Sequence, residues 1–178
     1  MALKGSFERY GAVAVASHWL SAALILALIP LGFLMQDATG ETRLIFYRIH
    51  VLVGVVAGML TLFRLLWWAA FDHRPAPLAA SRAQHMIARI THVGLYAVLI
   101  ALVVSGVAMT AKSNLGAGLV SGDVALISPS PIRVPPRLAH GVAARLLLAL
   151  LVLHLAGALY HHWMKRDETL SRMLPRTR

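Results

Sequence analysis

Four apolar stretches, at 12–35, 44–71, 86–110 and 138–164, constrain this chain more than any other feature. Crossing the hydrocarbon core of a bilayer takes about 20 apolar residues, and all four stretches reach that length. Lipid offers backbone N–H and C=O groups no partner, so each stretch must be a helix. The expected class is all-α: an integral membrane four-helix bundle, one domain over residues 1–178 with no internal repeat. Hydrophobic residues make up 58% of the chain and charged ones 13%, where soluble proteins average about 45–50% and about 25%.

The first stretch follows Lys4 and Arg9, as a secretory signal would. It is longer than the roughly 7–15 apolar residues of such a signal and no Ala-x-Ala site follows, so it reads as a retained helix with Pro30 marking a kink near its far end. The connections fall at 36–43, 72–85 and 111–137, the last rich in Gly, Ser and Pro and read as a loop.

The net charge of +10 raises the question of nucleic acid. The basic residues flank the apolar stretches instead of forming a stripe interleaved with aromatics, so topology explains them and no nucleic-acid partner is expected. Eleven of the 17 lie with the two termini and the middle connection, Arg64 and Arg89 among them. Arg43, Arg48, Lys112, Arg133, Arg137 and Arg145 lie opposite. The positive-inside rule therefore predicts that both termini are cytoplasmic, with Trp67, Trp68 and Trp163 in an interfacial belt on that side.

Histidine inside a membrane helix is costly and suggests function, and His18, His50, His92, His140, His154 and His161 all fall in the spans. There are no cysteines, which excludes disulfides, Fe–S clusters, thiolate-bound haem and c-type attachment. His140 and His154 are 14 residues apart, about 40° short of four full turns, so both leave one helix face about 21 Å apart in depth. That arrangement stacks two flat cofactors through the bilayer, whereas zinc would need ligands gathered around one ion. The reading is two b-type haems held by histidine. By depth His50 pairs with His140 near the outer surface. Both His18 and His92 match His154 near the inner one, and spacing does not choose between them.

Several motifs carry a resemblance: SHWLSAALIL from Ser17, RIHVLVG from Arg48, THVGLYAVLIAL from Thr91, LAHGVAARL from Leu138, and LHLAGALYHHWMKRDETLSRMLP from Leu153. Along nearly its whole length the sequence resembles the bacterial cytochrome b561 family of four-helix di-haem membrane cytochromes. The resemblance implies that His18 and His154 hold the inner haem iron and His50 and His140 the outer one. It also implies a bacterial inner-membrane location and ubiquinone as electron acceptor.

With two imidazoles on each iron neither haem has an open coordination site, so the expected role is outer-sphere electron transfer. His161, seven residues after His154, continues the same face toward the cytoplasm. There, with His92, it is a candidate for binding a quinone carbonyl and delivering protons, and Arg89 is a further candidate for quinone or lipid contact. His162 points about 100° away and is read as interfacial. Characterised members of the family are superoxide oxidases, which implies periplasmic superoxide as donor. The outer basic residues, with Arg48, Arg133 and Arg137 foremost, are placed to steer that anion or to bind lipid phosphates and haem propionates. Arg145, inside the fourth stretch, either snorkels outward or serves a propionate. The alternative is a membrane cytochrome b subunit passing electrons between a periplasmic dehydrogenase and the quinone pool; a protein partner is possible but not required.

Because the chain has no cysteine, its orientation is open to labelling. Ser6→Cys is expected to resist a membrane-impermeant maleimide in intact spheroplasts, and Ser113→Cys to react; the reverse pattern would invert the topology.

Overall fold

The computed structural model describes residues 2–73, 75–76, 78, 81–127 and 135–174. Arg133 lies outside them, as do Arg74, Arg176 and Arg178. All regular structure among the described residues is helical. There are four long helices, α1 (Ala12–Asp37), α2 (Gly40–Ala70), α3 (Arg82–Ala111) and α5 (Pro135–Tyr160); a short α4 (Leu115–Ser121) and a 3-10 turn at Val124–Leu126 lie between α3 and α5, and a second 3-10 turn at Ser171–Met173 follows α5. A π turn, His161–Lys165, extends α5, and the four spans are long and apolar enough to cross a membrane. α1 pairs closely with α2 and α3 with α5, while α2 joins the two pairs through α3.

Each span differs from its sequence-predicted bounds for a local reason. α3 begins at Arg82 because Ser81 and Gln84 form a capping box: Gln84 N–H donates to Ser81 Oγ at 3.3 Å and Ser81 N–H to Gln84 Oε1 at 3.0 Å. α5 begins at Pro135, a residue suited to the first helical turn because its missing N–H would have no partner there. α2 starts at Gly40 with Glu41 in its first turn, where the helix dipole favours negative charge. The first connection thus shrinks to Ala38 and Thr39. α1 continues through Pro30, which cannot donate to the carbonyl of Leu26.

Inside the bundle most buried residues are small or hydroxylated, Ala14, Ser17, Ser21, Ala57, Thr61, Thr91, Ser105 and Ala143 among them, with Val15 and Leu147 as larger exceptions. Their hydroxyls donate to carbonyls three or four residues back, as Ser21 does to Ser17 at 2.7 Å and Thr61 to Ala57 at 2.8 Å. Large apolar side chains such as Leu52, Met59, Leu66 and Val104 point outward. Without water to drive burial, membrane helices associate through small residues that let backbones approach, and lipid takes the large ones.

The two ends are built differently. At the end where α1 starts and α5 stops, the terminal end, the Asp72 carboxylate accepts from Gly5 N–H at 2.7 Å, His73 N–H at 2.8 Å and Trp67 Nε1–H at 3.0 Å. Burial alone would raise this acid's pKa, but the three donors hold it below the usual carboxylate value. Ala76 N–H donates to Phe7 O, Arg172 to Ala76 O at 2.9 Å, and Trp19 Nε1–H to Met173 O at 2.6 Å. The N-terminal segment, middle connection and C-terminal segment are thereby tied together.

The opposite end corrects the expectation of a loop over 111–137, since α4 forms within it. Leu115 and Ile127 pack with Leu44 and Tyr47 of α2, and Leu119 joins them. Gly122, at φ +80, supplies the left-handed residue that ends α4.

At Gly58 α2 packs tightly on α3: a Cβ there would lie 2.7 Å from Cγ2 of Val103, a β-branched side chain with little rotamer freedom. Gly58→Ala is expected to destabilise the bundle by about 1–3 kcal/mol. Gly54→Ala, whose Cβ would meet nothing within 4 Å, is expected to leave stability unchanged; thermal unfolding in detergent compares the two.

Candidate cofactor and electron-transfer site

α5 carries both interior histidines on one unbroken helix, and each faces a histidine of the other helix pair. His140 faces His50 of α2 with ring centroids 6.3 Å apart, and His154 faces His18 of α1 at 6.2 Å. A metal–nitrogen bond of about 2 Å on each side, plus about 1.1 Å from nitrogen to ring centre, sets two imidazoles sharing one ion about 6.2 Å apart. Both pairs have room for a single metal ion. His92 of α3 also meets His154, but at 5.3 Å, about an ångström too close for an ion between the rings. Depth left His18 and His92 as equal candidates; ring separation favours His18.

Among the described residues no three His, Asp or Glu side chains gather as a metal cluster. A pair of neutral imidazoles therefore fits an ion whose remaining ligands come with it, as in a porphyrin. Small residues leave space beside the rings: a Cβ on Gly32 would sit 3.6 Å from His50 Cε1, and one on Gly106 3.6 Å from His140 Cε1.

The far nitrogens of the rings differ in their surroundings. His140 Nδ1 lies 3.0 Å from Ser105 Oγ, and His18 Nδ1 lies 3.2 Å from Arg64 Nη2. His50 Nδ1 is buried and has no hydrogen-bond partner among the described residues. Sequence counting groups Arg64 with the boundary residues, but the fold turns it inward, over the ring of Tyr96 at 5.6 Å.

At the terminal end His161 Nδ1 meets Asp167 Oδ2 at 2.5 Å, with both side chains about one-fifth exposed. The π turn and the left-handed Arg166, φ 54, fold the chain back so that Asp167 reaches the ring. Asp167 also accepts from Thr169 N–H at 2.9 Å. Burial would raise its pKa, but the His161 and Thr169 bonds outweigh it and hold the acid at about 2. Sequence reading placed His161 here and missed Asp167, Ser105 and Arg64. Asp167 lies inside the distinctive C-terminal motif, and Ser105 and Arg64 are polar interruptions of apolar stretches.

The remaining predicted residues are distributed as follows. Arg89 is exposed on α3, three residues before His92. Arg137 lies three residues before His140 on α5 and is half-buried. Arg48 donates through Nε to Leu119 O of α4 at 2.8 Å, so it docks that helix. Buried Arg43 lies over Tyr47 at 5.9 Å. Arg145 donates to Gly141 O at 3.1 Å, reaching back one turn toward the α4 end. His162 is exposed beside Trp163.

A helical membrane bundle with paired imidazoles across its interior is the framework of an electron-transferring membrane cytochrome. Comparison with known proteins gives the lineage: the model of the prokaryotic cytochrome b561 family matches residues 9–176, and the chain belongs to that family. It is similar to cytochrome b561 homolog 2 of Escherichia coli K12, 29% identical over 98% of this chain and 95% of the relative. Cytochrome b561 homolog 1 of the same organism is 25% identical over 95% and 98%. A probable superoxide oxidase, CybB, of Yersinia pestis is 28% identical over 96% and 98%. The family makes this a multi-pass protein of the bacterial inner membrane that takes part in electron transport, with haem b as its implied cofactor.

Since the Asp167 acid lies below its usual value in the folded chain, its contribution to stability is complete above about pH 4 and lost as the pH falls toward 2. Asp167→Asn is expected to melt earlier than the parent at about pH 5, the difference vanishing near pH 2; a pH series of thermal midpoints checks this.

Proposed function

We propose that this protein carries electrons from superoxide to ubiquinone through two b-type haems, with the terminal end in the cytoplasm and the α4 end in the periplasm. One observation carries the reading: two histidine pairs with ring centroids 6.2 and 6.3 Å apart, at two depths of one bundle. His18 and His154 would hold the terminal-end haem, and His50 and His140 the α4-end haem. Bound between two imidazoles, each haem supplies reversible one-electron chemistry with no site open to oxygen. The residues around them do the rest.

Two superoxide anions each give up one electron and leave as dioxygen; one quinone takes both electrons and two protons from cytoplasmic water. His161 suits the proton transfer. With its Nδ1–H donated to Asp167, Nε2 remains for a quinone carbonyl, and the imidazole can pass a proton inward and regain one from water. His92, against His154, and Arg89, three residues before it, would flank the quinone. Superoxide as donor is supported by the likeness to the probable superoxide oxidase of Yersinia pestis. Steering of the anion falls chiefly to Arg137 and Lys112, because Arg48 and Arg43 are engaged with α4 and Tyr47.

Anaerobic stopped-flow spectra test the reading. Superoxide should reduce the purified protein at a rate that falls with ionic strength, and added ubiquinone should reoxidise it. Reduction no faster than by a neutral reductant, with no salt dependence, rules out superoxide steering. His50→Ala and His140→Ala should each remove one of two haems, whereas His161→Ala should keep both and slow quinone reduction by about 100-fold or more. Loss of a haem from His92→Ala would reassign the terminal-end ligand.

A further inference from the structure

The two pairs share a ring geometry but differ at the nitrogens turned away from the ion. Ser105 is buried, and its hydroxyl has one proton, which goes to Ala101 O at 2.6 Å with Leu102 O 3.1 Å away. Toward His140 Nδ1, 3.0 Å off, Ser105 Oγ can therefore only accept, and Leu102 O is a second acceptor for that ring. This sets the tautomer of His140, with the proton on Nδ1 and Nε2 presented to the metal. Accepting that proton makes the ring a stronger donor, which favours the oxidised metal. His50 has no such partner among the described residues, so the effect at this end rests on His140, against which Arg137 acts from the half-exposed start of α5, where water and salt screen its charge more than that of Arg64.

Arg64 is the opposite kind of partner. A guanidinium has donors only and keeps its charge. A His18 bound to metal through Nε2 keeps its remaining proton on Nδ1, the atom 3.2 Å from Arg64 Nη2, so Arg64 finds no acceptor there. No ion pair joins it to a carboxylate among the described residues either, and Arg64 Nε is buried without a hydrogen-bond partner. The seven acidic residues of the chain all lie at or beyond the ends of the spans. Apart from the Tyr96 ring it lies over, the cation is balanced by no carboxylate of the chain, and at the terminal-end site it favours the reduced metal.

We propose that Ser105 and Arg64 are positioning residues that make the α4-end haem harder to reduce than the terminal-end haem, so that electrons run one way across the bilayer. The inference rests on the two-haem assignment above. Both contacts bias transfer in the same sense, from the superoxide side toward the quinone side. One unit charge within about 10 Å of a redox centre, at an effective dielectric of about 20, is worth at least about tenfold in its reduction equilibrium. For one electron tenfold corresponds to about 59 mV.

Spectroelectrochemistry of the purified holoprotein tests it, with His140→Ala identifying which midpoint belongs to which end. A pyridine haemochrome count of two establishes the haem assignment independently; a count of zero or one sinks that assignment rather than this proposal. With two haems bound, Arg64→Leu should lower the upper midpoint by at least about tenfold in reduction equilibrium and leave the lower one in place. Arg64→Lys should retain most of it. Ser105→Ala should raise the lower midpoint and alter the low-spin EPR signal of that haem alone, and Ser105→Thr, which restores the hydroxyl, should rescue both. Unshifted midpoints, equal movement of both, or movement of the wrong one overturns the proposal. If Arg64→Leu sheds a haem, Arg64→Gln replaces it: an unshifted upper midpoint, or loss of the haem again, shows that Arg64 does not tune a bound group.

Discussion

Hydrocarbon gives a polar group no water to fall back on, so every donor and acceptor inside the spans must be met by the protein or by what it binds. The backbone meets this by forming helices, and the serines and threonines by donating to carbonyls of their own helix, as Ser21 and Thr61 do. Imidazole cannot satisfy itself in that way. Its two nitrogens point in opposite directions and need partners on different elements. Four interior histidines turned toward one another across two helix pairs are thus the costliest feature of this bundle, and the arrangement of the rest accommodates them.

The same constraint explains the unequal ends. At the terminal end the carboxylates of Asp72 and Asp167 lie where water is within reach, and each is used to tie chain segments together. Asp72 collects donors from the N-terminal segment, α2 and the connection beyond it. Asp167 is brought back to His161 by the one non-glycine residue with positive φ among those described, Arg166. The α4 end is closed instead by apolar packing of Leu115 and Ile127 on Leu44 and Tyr47, with Arg48 donating to Leu119 O. The terminal end is built around titratable groups, and the opposite end from apolar contacts and cations.

Much of this was legible in the residue order. Span lengths, the histidine count, the absence of cysteine and the shared face of His140 and His154 needed only helix periodicity and the thickness of a bilayer. The C-terminal motif beginning at Leu153 carried the family, which the match over residues 9–176 bears out. Three things were not legible. α4 hides in a Gly-rich segment because its helicity comes from packing on α2. Arg64 looks like a boundary residue because sequence position reports depth and not facing. Ser105 and Asp167 carry no signal of their own, since a polar residue in an apolar stretch or a motif does not name its partner.

Length, hydropathy and the 3.6-residue period by themselves determined that this chain spans a membrane four times and that its histidines occupy two depths, because both follow from distances along a single helix. How far each ring stands from the one it faces was decided only by tertiary structure. His18 and His92 share a depth with His154, and nothing in their spacing separates 6.2 Å from 5.3 Å. That difference arises from how far apart α1 and α3 stand from α5, a distance between helices, to which periodicity within one helix is blind.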